Sequence, residues 1–302
     1  MACVGASHRD RIARCESAYV PASSNPVTNS RAMGGVAANI AVQLARLGAR
    51  VRMAGAVGKD GDGARILEFL EDEGIDTDFI LRTADYASAG YTAFLDLSGE
   101  LIAGLADMHI YEALDARHCN LLADELRDVP FWLVDANLPA ESVVAMARAD
   151  GNSQRMFAAV SVAKAPRIAP VLDRAYAVFA NRAEAEVLSG RAIADPGDAL
   201  EAGRALETLG AARVFITLGD VGAAVVADGF TGFEAPPPTN VRDVNGAGDA
   251  FAAGAIDALT AGANAATALR QGLALASLDC EIEGPTAPVT REKLNARMAM
   301  VP

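Results

Sequence analysis

Residues 243 to 251 read Asp-Val-Asn-Gly-Ala-Gly-Asp-Ala-Phe, and an alanine-rich helical run, Ala252-Ala-Gly-Ala-Ile-Asp-Ala-Leu, follows directly. Gly246, Ala247 and Gly248 carry little or no side chain, so their backbone N–H groups can approach an anion closely. The start of the helix adds its positive dipole end at the same point. Asp249 stands one residue beyond this cradle. A carboxylate there can take the proton of an attacking hydroxyl while the N–H groups hold the charge developing on a transferred phosphoryl group. The competing reading is a glycine turn with an Asp capping a helix. The unbroken run of fitting residues favours phosphoryl transfer, and the absence of a GxxxxGK[ST] pattern excludes a P-loop.

A second glycine pair lies in Met33-Gly-Gly-Val-Ala-Ala-Asn39, ahead of a helix read as residues 40–47 and ending on Gly48. Gly34 and Gly35 let a ligand lie against the backbone, and Asn39 offers an amide from the first turns. Tight strand-to-helix packing explains the pair equally well. Asn181-Arg-Ala-Glu184 has the form of an Asn N-cap with Glu at the third helical position. Thr217-Leu-Gly219 with Gly222 reads as a turn at a strand end.

These residues need a scaffold, and the chain alternates strand with helix. Apolar segments at 131–135, 156–160, 177–180, 214–217 and 223–227 are separated by helical patterns at 140–149, 182–188 and 196–209. That rhythm predicts βαβ units and a mainly parallel sheet covered on both faces, with ligands at the carboxyl ends of its strands. Residues 11–33 are polar and turn-rich, and residues 87–105 alternate like a small hairpin. Together they predict a flap over the site. The expectation is one domain over 1–302 with these two lid segments.

Composition narrows the class. The chain has 302 residues, 52% of them hydrophobic, ample for one large core. Its net charge is −13, from 26 basic against 39 acidic residues. An acidic surface repels polyphosphate backbones and argues against a nucleic-acid partner. No apolar run reaches the roughly 18 residues of a membrane span, and no leader opens the chain. Cys3, Cys15, Cys119 and Cys280 are scattered like reduced thiols, and the three histidines share no ligand spacing. A cytoplasmic protein without membrane contact is expected.

Taken in order, the Gly34-Gly35 block with Asn39, the Val57-Gly-Lys-Asp-Gly61 turn, Asn181-Arg-Ala-Glu184 and Gly246-Ala-Gly-Asp249 resemble the ribokinase-like (PfkB) carbohydrate and nucleoside kinases over essentially the whole chain. The resemblance implies a Rossmann-type α/β three-layer sandwich with a small β-lid. It also implies transfer of the ATP γ-phosphate to a hydroxyl of a sugar or nucleoside. Asp249 would be the general base, and Gly246, Ala247 and Gly248 the anion hole. Asn181, Thr217, Gly219, Gly222 and Asn245 would serve the nucleotide, with Glu184 helping to place Mg²⁺ through water. Asn245 stands where many relatives have Thr. Asp10, Gly34, Gly35 and Asn39 would hold the sugar. A K⁺ requirement and a homodimer through the lid stay open.

Four further segments resemble the pseudouridine-kinase branch: Ser23-Ser-Asn-Pro26, Ala106-Asp-Met-His-Ile110, Val134-Asp-Ala-Asn137 and Val160-Ser-Val-Ala-Lys164. Ser24 and Asn25 would then contact the base, with Asn137 and Lys164 at strand ends facing the site. That branch has Gly-Arg before the Asn of its glycine block, where this chain has Ala37 and Ala38. Pseudouridine is the expected acceptor, ahead of another nucleoside or a free sugar such as ribose or fructose. A catalytically silent binding protein on the same scaffold is the reading from a different class. Asp249→Asn separates the two classes: a kinase loses about 10²–10⁴-fold in turnover yet still binds its ligands. Unchanged phosphate transfer in that variant would exclude Asp249 as the base.

Overall fold

A computed structural model describes residues 1–227, 229–284 and 286–301. In chain order it begins with β1 (Ala2–Val4), β2 (His8–Cys15), β3 (Val27–Gly34), α1 (Val36–Arg46), β4 (Arg52–Gly58), α2 (Gly61–Asp72) and β5 (Asp76–Thr83). Next come β6 (Gly90–Leu95), β7 (Leu101–Asp107), α3 (Ala116–Glu125), β8 (Phe131–Asp135), α4 (Ala140–Arg148), β9 (Gln154–Ala158), β10 (Ala175–Asn181) and α5 (Arg182–Ser189). The chain closes with α6 (Pro196–Thr208), β11 (Arg213–Thr217), β12 (Ala223–Ala227), β13 (Phe230–Glu234), α7 (Ala247–Thr260), α8 (Ala265–Asp279) and α9 (Arg291–Met298).

The larger sheet has the order β13-β12-β11-β10-β9-β8-β1-β4-β5. Every pairing from β11 to β5 is parallel, and β12 and β13 are antiparallel. Its central strands are apolar on both faces because each face is covered: Cys3, Leu133 and Phe215 pack toward α1, α7 and α8, whereas Val4, Trp132 and Val214 pack toward α3, α4 and α6. The parallel α/β sandwich read from the alternation is what the chain forms.

A second sheet, β3-β2-β6-β7, carries both segments that break the alternation. Its first hairpin is longer than the turn-rich composition of 11–33 implies. Pairing runs from His8↔Gly34 to Cys15↔Val27, leaving 16–26 as the connection. Polar residues can occupy these strands because both sheet faces are only partly buried. In the second hairpin Asp96 sets the turn, its Oδ1 accepting from Ser98 Oγ and the Gly99 and Glu100 amides.

One helix starts earlier than its pattern suggests: α1 begins at Val36. Gly35 is its N-cap, at φ 107°, and a Cβ there would sit 2.3 Å from the Ala6 carbonyl oxygen. The capping acceptor comes from another strand. Asp135, fully buried at the end of β8, accepts from the amides of Ala37 (3.0 Å), Ala6 (2.9 Å) and Asn137 (2.9 Å), and from Asn137 Nδ2 (3.1 Å). Gly5 makes room, since a Cβ there would lie 2.3 Å from Asp135 Cγ. Asp135→Ala strands three buried amides, so a loss of about 3–5 kcal/mol is expected in the denaturant midpoint. A change below about 1 kcal/mol would contradict this account of the α1 start.

Candidate active site

The carboxyl ends of β9, β10 and β11 meet the first turn of α7 around a cavity of about 150 Å³, lined among others by Val36, Asn181, Glu184, Thr217, Gly248 and Asp249. Asp249 is the third residue of α7 and accepts a hydrogen bond from Asn39 Nδ2 at 2.8 Å, so the second glycine block and the cradle converge across α1 and α7. Its carboxyl is pushed up to about 7. Desolvation is the main cause, opposed by the Asn39 bond and reinforced by the charges of Asp135, Asp279 and Glu184. A carboxyl poised there can exchange a proton near neutrality.

Gly246 takes the left-handed conformation, φ 84°, that turns the chain into α7. The Ala247 amide donates to Val244 O at 3.2 Å, which leaves the amides of Gly248 and Asp249 as helix-start donors with no protein partner among the described residues. A Cβ on Gly248 would touch nothing, so its smallness serves access to those donors and not packing. Asn245 is exposed on the same turn, lines neither cavity, and donates its amide to Asp243 Oδ1.

A second cavity of about 430 Å³ adjoins the first and shares Thr217, Gly248 and Phe251 with it. Its walls include Gly219, Gly222, Pro236, Val244, Ala276 and Cys280, a mostly apolar setting suited to a flat base. Gly222, at φ 136°, lies where a Cβ would be 2.1 Å from Glu234 O. In the wall of the smaller cavity, Asn181 and Glu184 form a reciprocal capping box, with Asn181 N and Nδ2 donating to the two Glu184 oxygens at 2.9 Å each. Burial pushes the Glu184 carboxyl up. Glu184 and Asp249 bring carboxylate oxygens to one small cavity, a donor set that suits a hard cation held through water.

On the other side of Asp249, Asp10 of β2 lies against Gly34, where a Cβ would be 2.5 Å from its Oδ2. His8 Nδ1 sits 2.8 Å from Asp10 Oδ1. Sequence reasoning passed over His8, although its place two residues before Asp10 on a strand puts both on one face. Asn137 Oδ1 accepts from Lys164 Nζ at 2.5 Å, and burial pulls the Lys164 ammonium down. Sequence reasoning also passed over Asp135, which lies behind Asn137. An Asp ending the apolar strand Phe131-Trp-Leu-Val was the available signal.

Ser24 and Asn25 are not brought to this group. They lie in the 16–26 connection at the far end of the β2–β3 hairpin, and neither lines either cavity. Asn25 spends its amide on its own loop, accepting from Val20 N and donating to Val20 O and Ser23 O. Tyr19 of this loop packs edge-on against Phe94, which shares a sheet face with Arg9 and Arg11 and not with Asp10.

Comparison with known proteins bears on the family and the fold. The description of the pfkB family carbohydrate kinases matches residues 1–292. The pseudouridine kinase of Escherichia coli K12 is 30% identical over 263 residues, covering 86% of this chain and 84% of its own. A carbohydrate kinase from Agrobacterium tumefaciens superposes with a TM-score of 0.88 at 30% identity, covering 100% of this chain and 97% of that one. The Arabidopsis thaliana ribokinase solved with ribose and ATP gives a TM-score of 0.89 at 21% identity, over 98% of this chain and 97% of its own. The chain belongs to the pfkB family of carbohydrate kinases and is a phosphotransferase acting on a hydroxyl group.

Proposed function

We propose that the protein phosphorylates the 5′-hydroxyl of pseudouridine with ATP, giving pseudouridine 5′-phosphate and ADP, and that the whole chain works as one kinase unit with the four-stranded sheet as its lid. The observation that carries the kinase chemistry is the position of Asp249. It lines the smaller cavity where this adjoins the apolar one, beside its own free amide and that of Gly248, and it accepts from Asn39 Nδ2. The likeness to the E. coli pseudouridine kinase supports the acceptor.

In this reading ATP lies with its base in the larger cavity and its γ-phosphate over the start of α7. Asp10, Gly34, Gly35 and Asn39 hold the ribose, with His8, Asn137 and Lys164 toward the base. Asp249 takes the proton of the 5′-hydroxyl as that oxygen forms its bond to the γ-phosphorus. The bond from the γ-phosphorus to the β,γ-bridging oxygen breaks, ADP leaves, and Asp249 returns its proton to solvent. The free amides at the start of α7 hold the charge on the transferring group. Glu184 and Asn181 would hold Mg²⁺ through water, and the ion would supply charge neutralisation for the phosphates. Four free cysteines suit a reducing cytoplasm. Among the described residues no helix is long and apolar enough to cross a membrane. A second copy pairing along β7 would cover the exposed Leu101 and Leu105.

Because Asp249 acts ionised and its carboxyl is pushed up to about 7, kcat/KM rises with pH and levels off above that value. Asn39→Leu removes the hydrogen bond that favours the ionised form, so this rise moves to higher pH by roughly one pH unit. A profile unmoved in that variant would separate Asn39 from the base. The acceptor is tested by ADP release from ATP-Mg²⁺ with pseudouridine, uridine, adenosine, ribose and fructose. Turnover confined to pseudouridine is expected. Preference for adenosine or a free sugar would replace the acceptor and keep the mechanism. Ligand binding without turnover on any acceptor would favour the silent scaffold.

A further inference from the structure

Gln43 lies one helical turn beyond Asn39 on α1 and faces α8 as Asn39 faces α7. It is fully buried, and its partner Asp279 is 1% exposed. Gln43 Nε2 donates to Asp279 Oδ1 at 2.8 Å, and the Ala287 amide donates to the same oxygen at 2.7 Å. Two oxygens of this pair, Gln43 Oε1 and Asp279 Oδ2, are buried with no hydrogen-bond partner among the described residues. Two stranded acceptors on adjoining side chains are costly, and buried polar atoms are ordinarily satisfied.

One proton resolves both. A carboxylic acid and a primary amide each present one donor and one acceptor side by side, so they can join through two antiparallel hydrogen bonds. The bond already formed is half of that pair, and the stranded atoms are the other half. We propose that Asp279 is protonated on Oδ2 in the folded protein and closes a cyclic acid–amide pair with Gln43, making the two a positioning element behind the Asn39–Asp249 contact.

The surroundings favour the neutral acid. Asp243 faces Asp279 from the turn before α7, Asp249 from α7 itself, and Cys280 adjoins it. Arg46 of α1 is the opposing cation, and it is already engaged by Glu73 and the Thr286 carbonyl. The carboxyl is pushed up to about 6, chiefly by desolvation. The pair also reaches the cradle by a second route. Asp279 holds Ala287, and the same segment donates Gly284 N to Asp243 Oδ2, whose other oxygen holds the Asn245 amide. The consequence for the base rests on reading Asp249 as catalytic, but the proton itself does not.

The test therefore uses the unliganded protein. A carboxyl raised in the folded state stabilises the fold below the ordinary Asp range near 4, and that contribution is lost as pH rises through about 6. Asp279→Asn supplies the second donor at every pH. The melting temperature of the unsubstituted protein should fall relative to Asp279→Asn between about pH 4 and pH 7. Parallel curves, or a relative gain with rising pH, would overturn the proposal. Should Asp279→Asn not fold, the selectively labelled Gln43 side-chain amide signals of the unsubstituted protein give the same answer. They should shift with a midpoint near 6. A midpoint in the ordinary carboxylate range near 4 would mean that the pair holds no proton above it and would equally overturn it.

Discussion

The site depends on one buried carboxylate that takes no part in the chemistry. Asp135 gathers the backbone amides of Ala6, Ala37 and Asn137, and so fixes the ends of β1 and β8 and the start of α1 relative to one another. Asn39 reaches Asp249 only because α1 begins where it does, and α1 begins there because the Ala37 amide finds Asp135, and the Ala38 amide the Ala6 carbonyl, in place of an N-cap side chain. Gly5 and Gly35 are conditions of this arrangement, since a Cβ on either would fall within 2.3 Å of the atoms that make it.

The same arrangement concentrates negative charge. The charges of Asp135, Asp279 and Glu184 all bear on Asp249, and burial pushes all four carboxyls up. For an enzyme that binds a polyphosphate this is a liability, and the protein meets it by hydrogen bonding more than by countercharge. Asp135 and Glu184 are saturated by amides and by Asn137 and Asn181, and Lys164 is itself pulled down by burial. What the burial and crowding supply is an Asp249 carboxyl pushed up to about 7, outside the ordinary carboxylate range.

Much of this was legible in the residues. The βαβ rhythm and the Asn181–Glu184 capping box follow from local patterns of period and chemistry, and β8 and β12 occupy the residues their apolar runs mark, whereas α7 begins at Ala247, five residues before its alanine-rich run. Three features were not legible. The α1 start is set by a carboxylate about a hundred residues away, and no local signal encodes that contact. Strands β2 and β3 looked polar and turn-rich, and their length was hidden, because strands open on both faces need not be apolar. Ser24 and Asn25 lie close to Gly34 in sequence, yet an eight-residue antiparallel pairing carries them to the opposite end of the hairpin.

Strand β2 places Asp10 on one face and Arg9 and Arg11 on the other, both arginines gripping Asp62 at the first turn of α2. A strand is too stiff for one face to move without the other. Any displacement of Asp10 also pulls on the two ion pairs that moor β2 to α2. The mooring acts as a spring whose stiffness is electrostatic, softened by added salt because Arg11 is half exposed. Dissolved ions thereby bear on the junction between the smaller sheet and α2.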